Sequence, residues 1–260
     1  MNRETIELVA TAGEGKLRFL NGSPWRYLCR AAVAGFFIVI GTLLSNLCGA
    51  WLSPESAGAG KLIAAIAFSA ALILIVLLGG ELFTGANMVM TISLFDGRVG
   101  FGGVLRVWLL CFLGNLLGIV LLCGLIALSG ASKTLELLAD YIAACLPGKL
   151  YSPWYELLIK GALCNFLVCV GVFSGFRLKT EGGKALIICC VITTFILAGF
   201  EHSVANMATF SFAAMLLPQP DFGAMLLNLL WVSLGNILGG AVLCGLPLWL
   251  SAEPKPASLG

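Results

Sequence analysis

Six apolar runs without charge divide the chain: Ala31–Pro54, Leu62–Gly80, Val107–Ser132, Gly161–Phe176, Ala185–Phe200 and Phe222–Ala252. A helix needs roughly 20 mainly apolar residues to cross a hydrocarbon core. The shorter runs reach that length by passing a single charge at Lys160, Glu81 or Glu201, so the pattern predicts six transmembrane helices and an all-α integral membrane fold. Two stretches, Lys61–Leu94 and Ala185–Leu217, exceed one straight span. Their centres are polar and glycine-bearing: Gly79-Gly80-Glu81-Leu82-Phe83-Thr84-Gly85-Ala86-Asn87 and Gly199-Phe200-Glu201-His202-Ser203-Val204-Ala205-Asn206-Met207. Each reads as two half-helices joined by a loop at membrane depth, an arrangement tolerated only where the loop is buried or lines a cavity. For the first stretch a glycine-rich packing face is the competing reading.

The segments between the spans are too short for a separate soluble domain. The chain therefore reads as one membrane domain over 1–260: a cytoplasmic N-terminal segment 1–24, a first repeat 25–128, an extracytoplasmic connection 129–153, a second repeat 154–251 and a tail 252–260. Arg3, Glu4, Glu7 and Glu14 interrupt any signal-peptide core in 1–24 and predict an amphipathic segment on the cytoplasmic face. In the long connection, Leu135, Leu138, Ile142 and Leu146 recur at helical spacing and predict a surface helix over Thr134–Leu146; Pro147-Gly148-Lys149 then turns the chain back. Arg177–Lys184 reads as a charged turn.

An internal repeat underlies this division. Residues 113–124 and 234–245 are identical at eight of twelve positions at an offset of 121, including Leu-Gly-Asn and Leu-Cys-Gly. Glu81 pairs with Glu201 at 120, and Asn87-Met88 with Asn206-Met207 at 119. Three spans per copy is an odd number, so the two three-helix repeats must be inverted, with the site where the broken second and fifth spans meet.

Composition sharpens the class: 60% hydrophobic, 11% charged, mean hydropathy +1.02, against about 25% charged in soluble domains. With six spans, Arg3, Lys16, Arg18, Arg26, Arg30, Arg98, Arg106, Arg177, Lys179, Lys184 and Lys255 fall on one side and Lys61, Lys133, Lys149 and Lys160 on the other. Eleven against four predicts cytoplasmic termini in an inner membrane. No compact basic patch points to nucleic acid. The ten cysteines lack paired metal spacing and read as small hydrophobes, with no metal or cofactor.

His202, the sole histidine, is the sharpest chemical candidate, because titratable groups at membrane depth are rare and face pathways. A core histidine satisfied by backbone is the alternative. Thr84 sits at what reads as the corresponding break, its hydroxyl placed to meet the imidazole or to bond back along its own helix. Glu81 and Glu201 read as structural acceptors for orphan N–H groups at the half-helix starts, and Asn87, Asn115, Asn165, Asn206 and Asn236 as bridges between helices or loops. Lys149 and Lys160 are vestibule cations or snorkelling lysines. Phe68, Leu72, Leu82, Phe83 and Phe195 flank the breaks as apolar constrictions or simply as core.

Glu81-Leu82-Phe83-Thr84-Gly85, Lys160-Gly161-Ala162-Leu163-Cys164-Asn165, Gly199 to Met207 and Leu234-Gly235-Asn236 resemble, in order, segments of the formate/nitrite transporter family. The resemblance runs from about residue 25 to 250 and leans toward the nitrite-channel branch through Lys179-Thr180-Glu181-Gly182 and Asn228-Leu229-Leu230-Trp231-Val232. It implies a homopentamer of aquaporin-like protomers, each with a pore for nitrite, formate or hydrosulfide. It also implies that His202 resembles the central pore histidine, Thr84 the loop threonine, Lys149 and Lys16 the outer and inner vestibule lysines, Phe68, Leu72 and Phe195 the outer constriction, and Leu82 the inner slit; Asn165 matches as well.

The mechanism expected is proton-linked permeation. Apolar rings disfavour the charged form of a weak acid, so a proton joins the anion near His202 and leaves beyond. The alternative, an aquaporin-type channel for neutral solutes, lacks an Asn-Pro-Ala pair, since Asn87 and Asn206 precede Met. An intramembrane enzyme finds no nucleophile or metal cluster beside the single histidine.

Overall fold

The computed structural model describes residues 3–253, and all the regular structure in them is helical. Positions 1–2 and 254–260, which hold most of the expected tail and Lys255, lie outside the described residues. Helix α1 (Arg3–Gly22) leads into α2 (Pro24–Leu52), then α3 (Ala57–Leu78), α4 (Phe83–Phe95) and α5 (Phe101–Ala127). A second series follows as α6 (Ser132–Leu150), α7 (Trp154–Arg177), α8 (Glu181–Leu197), α9 (Ser203–Leu216) and α10 (Phe222–Ile237), which continues through a π-helical stretch Leu238–Gly245 into α11 (Leu246–Leu250).

Among the described residues, α2, α3, α5, α7 and the continuous helix Phe222–Leu250 are long and apolar enough to cross a membrane. The shorter α4 and α9 are apolar but half-length. They follow α3 and α8 after breaks at Gly79 (φ 89°) and Gly199 (φ 73°), a left-handed conformation that only glycine adopts at little cost. The two series pack alike: α2 against α3 and α5, α7 against α8 and α10. A Cβ on Gly118 of α5 would strike the Ala32 carbonyl oxygen, and one on Gly239 would strike that of Ala162, so the copies share their closest backbone approach.

The apolar face of α1 is covered by protein, and two further local expectations are corrected. Ile6, Val9 and Ala10 are buried with Met88, Val89, Ile92, Cys169 and Cys244, and Ser93 donates to the Ala10 carbonyl at 2.7 Å. Arg3 pairs with Asp96 at the end of α4. The helix expected over Thr134–Leu146 runs instead from Ser132 to Leu150 with Pro147 inside it. Burial of Leu138, Ile142 and Leu146 offsets the hydrogen bond that proline cannot donate. The charged turn shrinks because Thr180 caps α8, its hydroxyl accepting from Gly183 N at 3.3 Å, and Glu181–Lys184 become helical.

The π-helical stretch has a local cause. Asn165 donates to the Asn236 carbonyl at 2.6 Å, the acceptor that the Gly240 N–H would use in an α-helix. A side chain inserted into the ladder relaxes it toward the wider repeat.

Candidate functional site

The two breaks are held by the same set of bonds. Glu81 N donates to Arg30 O at 3.3 Å, and Glu201 N donates to Lys160 O at 3.3 Å. Asn115 accepts from Phe83 N at 3.0 Å and donates to Ala31 O (2.8 Å) and Glu81 O (2.7 Å). Asn236 accepts from Ser203 N at 2.9 Å and donates to Gly161 O (2.8 Å) and Glu201 O (3.1 Å). These asparagines, and not the glutamates, take the orphan N–H groups at the half-helix starts. The expectation for Glu81 and Glu201 is corrected for a physical reason: an amide both donates and accepts, so it can stitch an N–H and two carbonyls at once, whereas a carboxylate only accepts.

The carboxylates are occupied elsewhere. Glu81, 3% exposed, pairs with Lys16, lies 3.8 Å from Arg30 and accepts from the Tyr27 hydroxyl at 3.4 Å. Glu201, 7% exposed, is bound by Lys149 at 3.0 and 3.1 Å and by Asn206 Nδ2 at 2.6 Å. Lys149 also donates to Asn206 Oδ1 at 3.0 Å, and Asn228 joins this network through Asn206 (2.9 Å) and the Lys149 carbonyl (2.9 Å). A buried carboxylate is tolerable only with such partners.

His202 is the N-cap of α9, and its Nδ1 accepts from Ala205 N at 3.0 Å. With Nδ1 an acceptor, the imidazole is neutral and carries its proton on Nε2. That atom meets Thr84 Oγ1 at 3.0 Å. Thr84 is fixed from behind by Asn165, which donates to its carbonyl at 3.2 Å, to Asn87 Oδ1 at 3.1 Å and to the Asn236 carbonyl. Thr84 is nonetheless not the positional counterpart of His202. The N-cap of α4 is Leu82, and Thr84 lies two residues farther on.

His202 lines one cavity, and Leu82 and Gly85, which flank Thr84, line another. One, of about 670 Å³, is lined by Lys61, Phe68, Lys149, Phe195, Glu201 and His202. The other, of about 250 Å³, is lined by Lys16, Arg30, Gly79, Glu81, Leu82 and Gly85. Phe195 stacks on His202 (centroids 6.1 Å, 21° between planes) and meets Phe68 edge-on at 6.2 Å.

Three of the expected vestibule and constriction residues fall outside both cavities. Lys160 pairs with Glu156 one turn back on its own helix at 2.8 Å. Phe83 packs edge-on against Phe112 at 5.1 Å, and Leu72 is buried in the core beside Gly171. Sequence reasoning passed over Lys61, Thr42, Asn46, Arg30 and Tyr27. Thr42 and Asn46 carried a usable signal: two polar residues one turn apart in a charge-free run. Among the described residues no group of His, Cys, Asp or Glu side chains is suited to hold a metal ion.

Paired helical units meeting at two interrupted helices, with a polar contact between the two, define an all-helical membrane transport protein. The signature of the family described as Formate/nitrite transporter matches residues 3–250, and the chain belongs to that family. It is 33% identical over 266 residues to the nitrite transporter NirC of Salmonella typhimurium, covering 100% of this chain and 97% of that one. A solved "FNT family ion channel" superposes with a TM-score of 0.88 at 31% identity, covering 96% of this chain and 99% of that one. A "Pentameric formate channel with formate bound" does so with a TM-score of 0.74 at 28% identity, covering 87% and 96%.

Proposed function

We propose that the chain is a channel for the anions of small weak acids, nitrite foremost and formate or hydrosulfide beside it, with permeation linked to protons. It transports and does not catalyse. The observation that carries this reading is the neutral His202 imidazole lining the larger cavity and held against Thr84 at 3.0 Å. An anion entering the larger cavity meets the Phe68–Phe195 pair and His202, a desolvating wall that favours the protonated acid. The Nε2–H is the group placed to lend it a hydrogen bond or a proton, and Thr84 the group placed to hold that N–H in its absence.

The architecture that goes with this reading is six spans in two inverted triples, α3–α4 and α8–α9 each counted as one broken span. Both termini lie in the cytoplasm of an inner-membrane protein, and the assembly is a homopentamer with one pore in each protomer. Lys149 and Lys16 line the outer and inner vestibules, each paired with the glutamate of its break, and Leu82 narrows the inner one. The domain limits follow the sequence division, with α1 and α6 as the elements preceding each repeat.

Anion flux into proteoliposomes tests this. Wild type is expected to carry nitrite, formate or hydrosulfide with saturating, pH-dependent kinetics. His202→Asn is expected to lower the flux at least tenfold, the equivalent of about 1.4 kcal/mol, and to flatten its pH dependence. Passage of water or glycerol with none of the three anions would transfer the chain to the neutral-solute reading.

A further inference from the structure

The wall of the larger cavity contains a polar pair that neither the breaks nor the ion pairs use. Thr42 and Asn46, both on α2 and both lining this cavity, sit four residues apart and so on one helix face. Thr42 is 3% exposed, and neither its hydroxyl oxygen nor Asn46 Nδ2 has a hydrogen-bond partner. Polar side chains inside a span are costly and occur where they face a pathway, and buried polar groups are normally paired.

The default escape for a helical threonine is a bond back to the carbonyl four residues earlier. Thr91 takes it at 2.7 Å, Thr194 at 2.8 Å and Thr209 at 3.4 Å. Thr42 does not. Lys61 lines the same cavity, donates to the Leu197 carbonyl at 3.0 Å and, among the described residues, has no carboxylate within ion-pair distance. Lys149, by contrast, is neutralised by Glu201. The positive charge open to an anion in this cavity is therefore that of Lys61, and the buried side-chain groups without a hydrogen-bond partner along its wall are those of Thr42 and Asn46.

We propose that Thr42 and Asn46 form a binding subsite for two-oxygen anions, such as nitrite or a small carboxylate, in the larger cavity ahead of the Phe68–Phe195 constriction. A hydroxyl and an amide N–H one helical turn apart offer one donor to each oxygen of a bent O–X–O anion. A hydrosulfide ion brings a single sulfur, a weak acceptor, and leaves one or both donors empty. A site whose donors are satisfied by one ligand and stranded by another discriminates between them. The inference rests on the channel reading above and adds a selectivity step to it.

The test uses the full chain in proteoliposomes, with concentration series of nitrite, formate and hydrosulfide and empty vesicles as blank. Wild type is compared with Thr42→Val, Asn46→Leu, the double variant and Thr42→Ser. Half-saturation for nitrite and formate is expected to rise roughly five- to tenfold in the double variant, as for loss of about one net hydrogen bond. Hydrosulfide should be unchanged and Thr42→Ser should behave as wild type. Unchanged half-saturation for all three anions overturns the subsite, and so does an equal shift in all three, which marks a general distortion of the cavity. Wild-type vesicles that carry none of the anions overturn the channel reading itself, and the subsite falls with it.

Discussion

The two breaks share one backbone scaffold and differ in what occupies it. At Gly79–Phe83 and Gly199–Ser203 the positive-φ glycine, the bond into the preceding span and the three-bond asparagine clamp recur nearly atom for atom. Both glutamates are met by a lysine from the helix that precedes their repeat, Lys16 from α1 and Lys149 from α6. The N-caps then diverge. Leu82 caps α4 with no side-chain bond, whereas His202 caps α9 through Nδ1 and keeps Nε2 for Thr84. Duplication supplied a symmetric frame, and the chemistry sits where the copies disagree. A leucine faces one cavity and an imidazole the other.

The largest effect on this comparison should come from the asparagine clamps. Asn115→Leu leaves Phe83 N and the Ala31 and Glu81 carbonyls short of a partner, and Asn236→Leu does the same to Ser203 N and the Gly161 and Glu201 carbonyls. Two stranded buried groups and the lost second bond of a mid-helix carbonyl, at on the order of 1 kcal/mol each, should cost about 2–3 kcal/mol in either half. Thermal unfolding of the purified protein in detergent should give matching losses. A loss confined to one variant would break the equivalence of the two halves.

Much of this frame was legible in the chain. The apolar runs located the spans, the excess length of Lys61–Leu94 and Ala185–Leu217 located the breaks, and Leu-Gly-Asn at offset 121 revealed the duplication. Spacing did not show which polar side chain serves which backbone group. Asparagine and glutamate both look like acceptors in a list, and only the clamp's need for simultaneous donation selects the amide. The partners of Glu81 and Glu201 were hidden because they come from 65 and 52 residues away, in helices outside the repeated core. Spacing also left open that Thr84 lies two residues past the N-cap position of α4, which Leu82 fills as His202 fills that of α9. Packing of α1 against α4 was likewise invisible to helical periodicity, which marks an apolar face without saying whether lipid or protein covers it.

A middle-sized effect separates the two ion pairs. Lys149→Met strands a nearly buried Glu201 that retains only Asn206, and should destabilise by about 2 kcal/mol, less than a fully enclosed pair because both partners border the cavity. Lys16→Met should cost about half as much, since Arg30 at 3.8 Å and the Tyr27 hydroxyl at 3.4 Å still face Glu81. Melting temperatures of the two variants, measured side by side, rank the pairs. The reverse order would mean that α1, rather than α6, carries the more necessary lysine.

The smallest effect on stability is the most informative about the site. Thr84→Val removes the hydroxyl that meets Nε2 while preserving shape, and should cost about 0.5–1 kcal/mol, the net worth of one hydrogen bond. His202→Leu, which copies the α4 cap into the α9 break, should cost slightly more, because Ala205 N loses its cap as well. In a frame that holds the backbone by asparagines, neither change should unfold the break. Their consequences should instead separate in transport: Thr84→Val keeps the Nε2–H and should retain a pH-dependent flux at reduced rate, whereas His202→Leu removes the proton-bearing group and should leave the two breaks chemically alike and the pore without pH response. Equal transport defects in the two variants would place the function in the contact itself, and not in the imidazole that distinguishes one half from the other.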